Sequence, residues 1–417
     1  MKPLRWFPLL LLLPLLWDRA APAHSQAPAG EPTILLADEQ FASGPLRDEP
    51  AVRAFLQAQG SFLASATLEP VKGIPMPAVQ SLVFLGEAYS VSPALLLTLA
   101  DMEMGVLSAG QPTRAPQTLA DWFRQRAMIL SRWFYDAYYG IAGAPNRPSP
   151  GGERVPPAGN AATYALRNYF FTHVYGGGEP VAALAAWEEL LQRRYAATFG
   201  PPLGGKARLA PPTPADWQEL PALRLPWPGG EVWHLTGGPH NFDGSKRLPL
   251  SGVDFQPAEI TGCNPPIAAD EWVVASAPGL TIDYQTHWVK LDHDGDGDAA
   301  TGWQTVYGHL AYRIPDGAWV REGWRLGSPS CLGGYAGGVH VHFGVKYENV
   351  WQPVEAVRLS GWAFERGEEA YEGGMVREGG VTRQSCYHSE QPLMDCTHAA
   401  VVSDNRARIR RTGFGLE

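Results

Sequence analysis

The chain has 417 residues, enough for two or three domains at roughly 100–200 residues each. Hydrophobic residues make up 45% and charged residues 18%, which excludes an intrinsically disordered chain. Lys+Arg 33 against Asp+Glu 42 gives a net charge of −9, so there is no basic excess to read phosphates and no nucleic-acid partner is expected.

In chain order, Lys2 and Arg5 precede an apolar run over residues 6–17, and Ala21-Pro22-Ala23 follows. A charged start, a short apolar core and a small-residue cleavage site make a secretory signal peptide, assigned to residues 1–25. The run is well short of the ~20 residues that span a bilayer, so a secreted chain with no membrane attachment after cleavage is expected, extracellular or in the cell envelope. Residues 26–48 read as a polar lead-in.

From residue 49 to 200 the pattern is helical. Residues 77–85 carry apolar side chains at three- and four-residue steps behind Pro77. Ser92-Pro93 is a capping hydroxyl followed by proline at the first helical position, and it opens a helix over 94–104. Further helices are expected over 121–139, 161–174 and 181–199, with a Pro/Gly break at 143–159. Residues 201–230 hold eight prolines and read as a semi-rigid linker between domains.

Beyond residue 230 short β-branched and aromatic runs at 272–277, 280–284, 288–291, 303–307 and 339–345 are separated by Gly, Pro, Asp and Asn. This is the pattern of an antiparallel all-β domain, set at 231–360. The fold class expected is therefore multi-domain α+β: an all-α N-terminal domain, then an antiparallel β domain. Residues 361–417 form a C-terminal extension. The four cysteines of an exported chain read as two disulfides, with Cys386–Cys396 and Cys263–Cys331 favoured among three possible pairings.

Seven of the eleven histidines lie between His234 and His342. Three pieces stand out: Gly237-Gly238-Pro239-His240, Ser251-Gly252-Val253-Asp254 and His340-Val341-His342. On a strand His340 and His342 project to the same side. Tyr307-Gly308-His309-Leu310 lies between the second and third pieces. Together these motifs resemble the lysostaphin/LytM-type zinc endopeptidases, which carry an H…D pair, a Y-x-H-L piece and a final H-x-H. In the lysostaphin branch the His and Asp are only a few residues apart. Here the interval is 14 residues, and with the GGPH opening and two cysteine pairs it is closer to the β-lytic branch.

The resemblance implies that His240, Asp254 and His342 are the ligands of one Zn²⁺, with His309 and His340 beside the metal as catalytic groups. Two imidazoles and a carboxylate suit zinc, and three protein ligands leave a fourth position for water. The two spare histidines would divide proton transfer and oxyanion stabilisation in an order the spacing leaves open. Tyr307 is either a further oxyanion donor or a packed strand aromatic. His234 reads as structural, and His287 and His293 as surface residues. The run Asp292-His293-Asp294-Gly295-Asp296-Gly297-Asp298 has oxygens at alternate positions and glycine sixth, as in a calcium loop. Trp303 stands at position twelve, where a bidentate Glu is needed, so an acidic turn is the reading taken.

The helical half is similar, more faintly, to lysozyme-like transglycosylases. Val91-Ser92-Pro93 opens a helix that ends at Glu103, where that family has its general acid, but Met104 replaces the serine that follows there. The function expected is that of a secreted zinc metalloendopeptidase acting as a monomer on peptidoglycan peptides. The alternatives are an inactive wall-binding or hydrolase-regulating protein, and a bifunctional peptidase and glycan-cleaving transglycosylase.

Overall fold

The computed structural model describes residues 32–405, except 72, 108, 112–114, 141–154, 156, 242–246, 248, 261 and 387–395. The expected signal peptide and most of the 143–159 break lie outside the described residues. The first half is built from helices α1 (Asp38–Ala42), α2 (Glu49–Ala58), α3 (Ala78–Tyr89), α4 (Pro93–Met104), α5 (Pro116–Tyr138), α6 (Ala161–Tyr169) and α7 (Pro180–Phe199), and a short α8 (Pro214–Glu219) follows. Their ends obey local chemistry. The Ser92 hydroxyl accepts from Leu95 N at 3.2 Å with Pro93 at the first helical position, and Gly105 closes α4 at φ 66°. Asn160 caps α6 by accepting from Thr163 N at 3.0 Å.

Two features depart from the sequence reading. A hairpin, β1 (Thr67–Val71) with β2 (Ile74–Pro77), interrupts the helices, so this half is not all-α. Residues 35–42, expected as polar lead-in, hold Leu35, Leu36 and Phe41 in the core. Asp38 ties them down by accepting from Ala162 N at 2.7 Å and Leu209 N at 3.0 Å.

The second half contains β3 (Val232–His240), β4 (Gly252–Pro257), β5 (Val273–Val274), β6 (Gly279–Gln285), β7 (Trp288–Asp292), β8 (Trp303–Gly308), β9 (Leu310–Ala311), β10 (Trp319–Val320), β11 (Arg325–Pro329), β12 (Val341–Tyr347) and β13 (Val350–Gln352). Most of them join one antiparallel sheet in the order β10-β6-β7-β8-β12-β4-β3, with β13 also paired to β12. Residues 358–384 form a four-stranded antiparallel sheet, and residues 400–402 add an edge strand to β3. The disulfides are Cys263–Cys331 and Cys386–Cys396, the pairing favoured from sequence.

Strand alternation divides the labour of the large sheet. Val253, Phe255, Val289, Leu291, Tyr307, Val341, Phe343 and Val345 point to one face and build a core with Trp227, Trp233 and Leu235. The opposite face carries Asp254, Trp288, Lys290, His342 and Lys346, whose positions lie in register across β4, β12, β8 and β7. The helical half docks on this second face, since Trp288, Val306, Val350 and Trp351 belong to its core cluster. The Pro-rich segment is not a bare spacer: Trp217 of α8 packs on Trp303 at 4.5 Å, and Trp303 Nε1 donates to Asp216 O.

Candidate functional site

His342 lies directly across from Asp254 on the neighbouring strand and from Gly308 on the other side. His240 is brought in from β3, where the ladder slips twice, between Leu235 and Gly237 and again before His240, so that His240 pairs with Gly252. The glycines here provide room. A Cβ on Gly252 would lie 2.1 Å from His342 Cε1, and one on Gly308 would lie 2.5 Å from the Trp288 ring.

Three buried donors converge. His240 Nε2 is 3.3 Å from His342 Nδ1 and 3.6 Å from Asp254 Oδ2, and His342 Nδ1 is 3.1 Å from Asp254 Oδ1. A tetrahedron with ligand distances of about 2.0–2.1 Å has edges of about 3.3 Å, so these separations fit the corners around one Zn²⁺-sized ion. His240 Nδ1 donates to Gly238 O at 2.7 Å, because a carbonyl only accepts, and this leaves Nε2 as the bare nitrogen facing the cluster. Burial pushes the His240 imidazole down to about 4, against the pull of Asp254, so it is neutral at neutral pH. Burial opposes charge on Asp254, yet the surrounding imidazoles of His240, His340 and His342 hold its carboxyl well below the usual carboxylate range.

His309 and His340 border this cluster. Their rings are 4.4 Å apart, and His340 Nε2 is 3.8 Å from Asp254 Oδ1. Each has its Nδ1 tied to a carbonyl, Leu332 O for His309 and Gly338 O for His340, both at 2.7 Å. The same logic as for His240 leaves both Nε2 atoms able to take a proton. His309 sits between β8 and β9 at φ 61°, a left-handed conformation that a non-glycine side chain adopts at a cost. Burial and the neighbouring His340 hold its imidazole well below the ordinary histidine value.

Other residues singled out from sequence fall elsewhere. The Tyr307 ring is on the opposite sheet face, its hydroxyl accepting from Ser276 N at 2.9 Å and Thr305 Oγ1 at 3.1 Å, so it is a packed strand aromatic. His234 sits in β3, paired with Gln256. His293, read as a surface residue, is half-buried and bridges Pro278 O and Thr305 Oγ1. His287 is half-buried beside Leu310. Glu103 is not part of this cluster, and both its oxygens are occupied: Trp122 Nε1 donates at 2.9 Å, Tyr169 OH donates at 2.6 Å, and Arg126 pairs at 3.5 Å.

Sequence reasoning missed two site residues. Tyr371, from the C-terminal extension, stacks on His240 with ring centroids 3.9 Å apart, and its carbonyl accepts from Gly238 N. Trp288 lies 5.7 Å from both His309 and His342 and touches Phe84 of α3 at 6.5 Å. Neither carries a local motif.

An antiparallel sheet presenting a buried His/Asp/His donor set with two further imidazoles beside it defines a candidate mononuclear metal centre. The chain is similar to proteins named as a metalloendopeptidase and as a protease. It is 28% identical over 182 residues to the beta-lytic metalloendopeptidase of Achromobacter lyticus, covering 42% of this chain and 45% of that protein. It is 25% identical over 318 residues to Protease LasA of Pseudomonas aeruginosa, covering 68% of this chain and 69% of that one. The match to the Achromobacter protein thus spans less than half of that relative's length. Among solved structures, "A Novel M23 Metalloprotease Pseudoalterin from Deep-sea" is 23% identical with a TM-score of 0.34, over 40% of this chain and 96% of that one. No family model matches.

Proposed function

We propose that this chain is an exported zinc metalloendopeptidase that hydrolyses peptide bonds in bacterial peptidoglycan. The observation that carries the reading is the convergence of His240, Asp254 and His342, all three buried, whose donor atoms lie within 4.8 Å of one another. Kinship to the beta-lytic metalloendopeptidases and LasA supports the reaction class, and the charged, short apolar start of the chain supports export.

His240, Asp254 and His342 would hold the ion. Bound there, zinc would lower the pKa of a water toward ~7 and would polarise the scissile carbonyl. The chain supplies the rest. Gly238 O fixes the His240 tautomer, and Tyr371 covers that imidazole's face. Asp254 brings the one negative charge of the donor set. The Nε2 atoms of His309 and His340 accept the proton from the attacking water and return one to the departing amine, and in the protonated state the imidazole stabilises the oxyanion. Carbonyl anchoring of both Nδ1 atoms keeps these rings aimed without an added carboxylate.

The test is digestion of purified sacculi by the metal-loaded protein, with the released muropeptides identified by mass spectrometry. New amino termini within the peptide stems or cross-links are expected. Release of glycan fragments only, or no release, would overturn the reading.

A further inference from the structure

We propose that the turn joining β7 to β8 binds one hard divalent cation of the calcium class, held by Asp292, Asp294 and Asp296. The site is separate from the histidine cluster and does not depend on the reading of that cluster.

Asp292 ends β7 and is completely buried. Its Oδ2 accepts from Gly297 N at 2.9 Å, whereas its Oδ1 is buried with no hydrogen-bond partner. A carboxylate oxygen removed from water and left unmatched costs free energy unless a donor or an ion meets it. Asp294 and Asp296 bring their oxygens to the same place, the three groups offering ligand atoms within 4.8 Å of one another. Like charges at that separation repel. Among the described residues no lysine or arginine pairs with these three carboxylates, although Asp298 on the same turn pairs with Arg47. A cation at their centre satisfies the orphaned oxygen and removes the repulsion in one step.

The donor chemistry selects the ion. All three groups are carboxylates with no sulfur or imidazole among them, which suits a hard cation and disfavours zinc. The spacing matches the first six positions of a calcium loop, ending in Gly297 at φ 82°. Trp303 occupies position twelve, so no bidentate Glu closes the shell, and water completes it. This places the affinity with extracellular calcium modules, at dissociation constants of about 10⁻⁴–10⁻³ M. The turn is also a junction: Arg47 reaches Asp298, and Lys206 Nζ donates to Ala300 O at 3.3 Å, both from the helical half. A cation there would fix the turn on which that half rests.

The experiment uses the full-length, zinc-loaded protein and calcium alone. Equilibrium dialysis at millimolar Ca²⁺, read by elemental analysis, should find one calcium per chain. Terbium should bind in its place and luminesce on tryptophan excitation, because the Trp319 ring lies against Gly295 of the turn. The double variant Asp294→Asn/Asp296→Asn changes two exposed side chains and should bind at least tenfold more weakly, with no calcium-induced rise in Tm. His342→Ala should keep its calcium. No calcium bound at millimolar concentration, equal binding by the double variant, or loss of calcium with His342→Ala would overturn the proposal.

Discussion

Two buried polar clusters share one face of the large sheet, and they are neutralised differently. His342 and Lys346 lie on the same strand, β12, with side chains on the same side. Around Lys346 the charges are complete: Glu87 lies 2.5 Å from Lys346 Nζ and 3.0 Å from Lys290 Nζ, Asp283 is 3.1 Å from Lys290, and Asn349 Oδ1 accepts from both lysines. Around His342 the donor set is imidazole and carboxylate, and Asp254 brings its one negative charge. The first cluster is closed within the chain, and the second has the composition of a metal cage. Because Glu87 comes from α3, the closed cluster also cements the helical half to the sheet. Trp351 Nε1 donates to Glu87 O at 2.8 Å, and Tyr135 OH accepts from Trp351 N. Phe84, one helical turn earlier on the same helix, then reaches Trp288 beside the histidines. The helical half is thus a wall of the candidate site.

The largest expected effect falls on the open cluster. His309→Ala or His340→Ala should retain metal while peptide turnover drops by ~10²–10⁴-fold, as is typical for lost proton-transfer help. Elemental analysis paired with initial rates checks this, and metal lost with turnover would show that either residue belongs to the cage instead.

The closed cluster should respond in stability. Glu87→Gln leaves Lys346 buried without a carboxylate and should cost about 3–5 kcal/mol in denaturant unfolding, whereas Glu87→Met/Lys346→Met should recover most of that. If the double variant is no better than the single, the cluster is not a closed charge system.

Acid sharpens the same contrast. Burial works against charge on Glu87, but Lys290 and Lys346 hold it down to about 2, below its usual 4.5. A depressed folded-state value means the stabilisation is present above about pH 4.5 and is lost as pH falls toward 2. Stability measured down that range should fall less steeply in Glu87→Met/Lys346→Met than in the unaltered chain. The smallest effect is expected at Glu103, whose oxygens are occupied by Trp122, Tyr169 and Arg126. Glu103→Gln should leave peptide hydrolysis within about twofold in the same rate assay, because that carboxylate does not touch the site.

Much of this architecture is legible in the sequence. Period-two spacing in His340-Val341-His342 and the β-branched runs after residue 230 announce the sheet that carries the histidines. Ser92-Pro93 announces α4, since capping is local chemistry. What the sequence hides is tertiary. Nothing near Tyr371 says that its ring will lie on His240, and nothing in the apolar helix α3 says that Glu87 will meet two lysines from the other half. Residues 35–42 read as a lead-in because their short apolar pattern has no period long enough to declare a core face. The roles of Gly252 and Gly308 depend on rings donated by other strands. The sequence leaves the role of Tyr307 open because strand parity matters only once the register with Phe343 is known.

The central claim is that His240, Asp254 and His342 form the metal cage. Zinc content of the purified full-length protein and of His342→Ala, each measured by elemental analysis beside its rate on purified sacculi, tests it most directly. The account predicts about one zinc per unaltered chain, with zinc and hydrolysis both lost in the variant. Zinc retained at full stoichiometry in His342→Ala would contradict it.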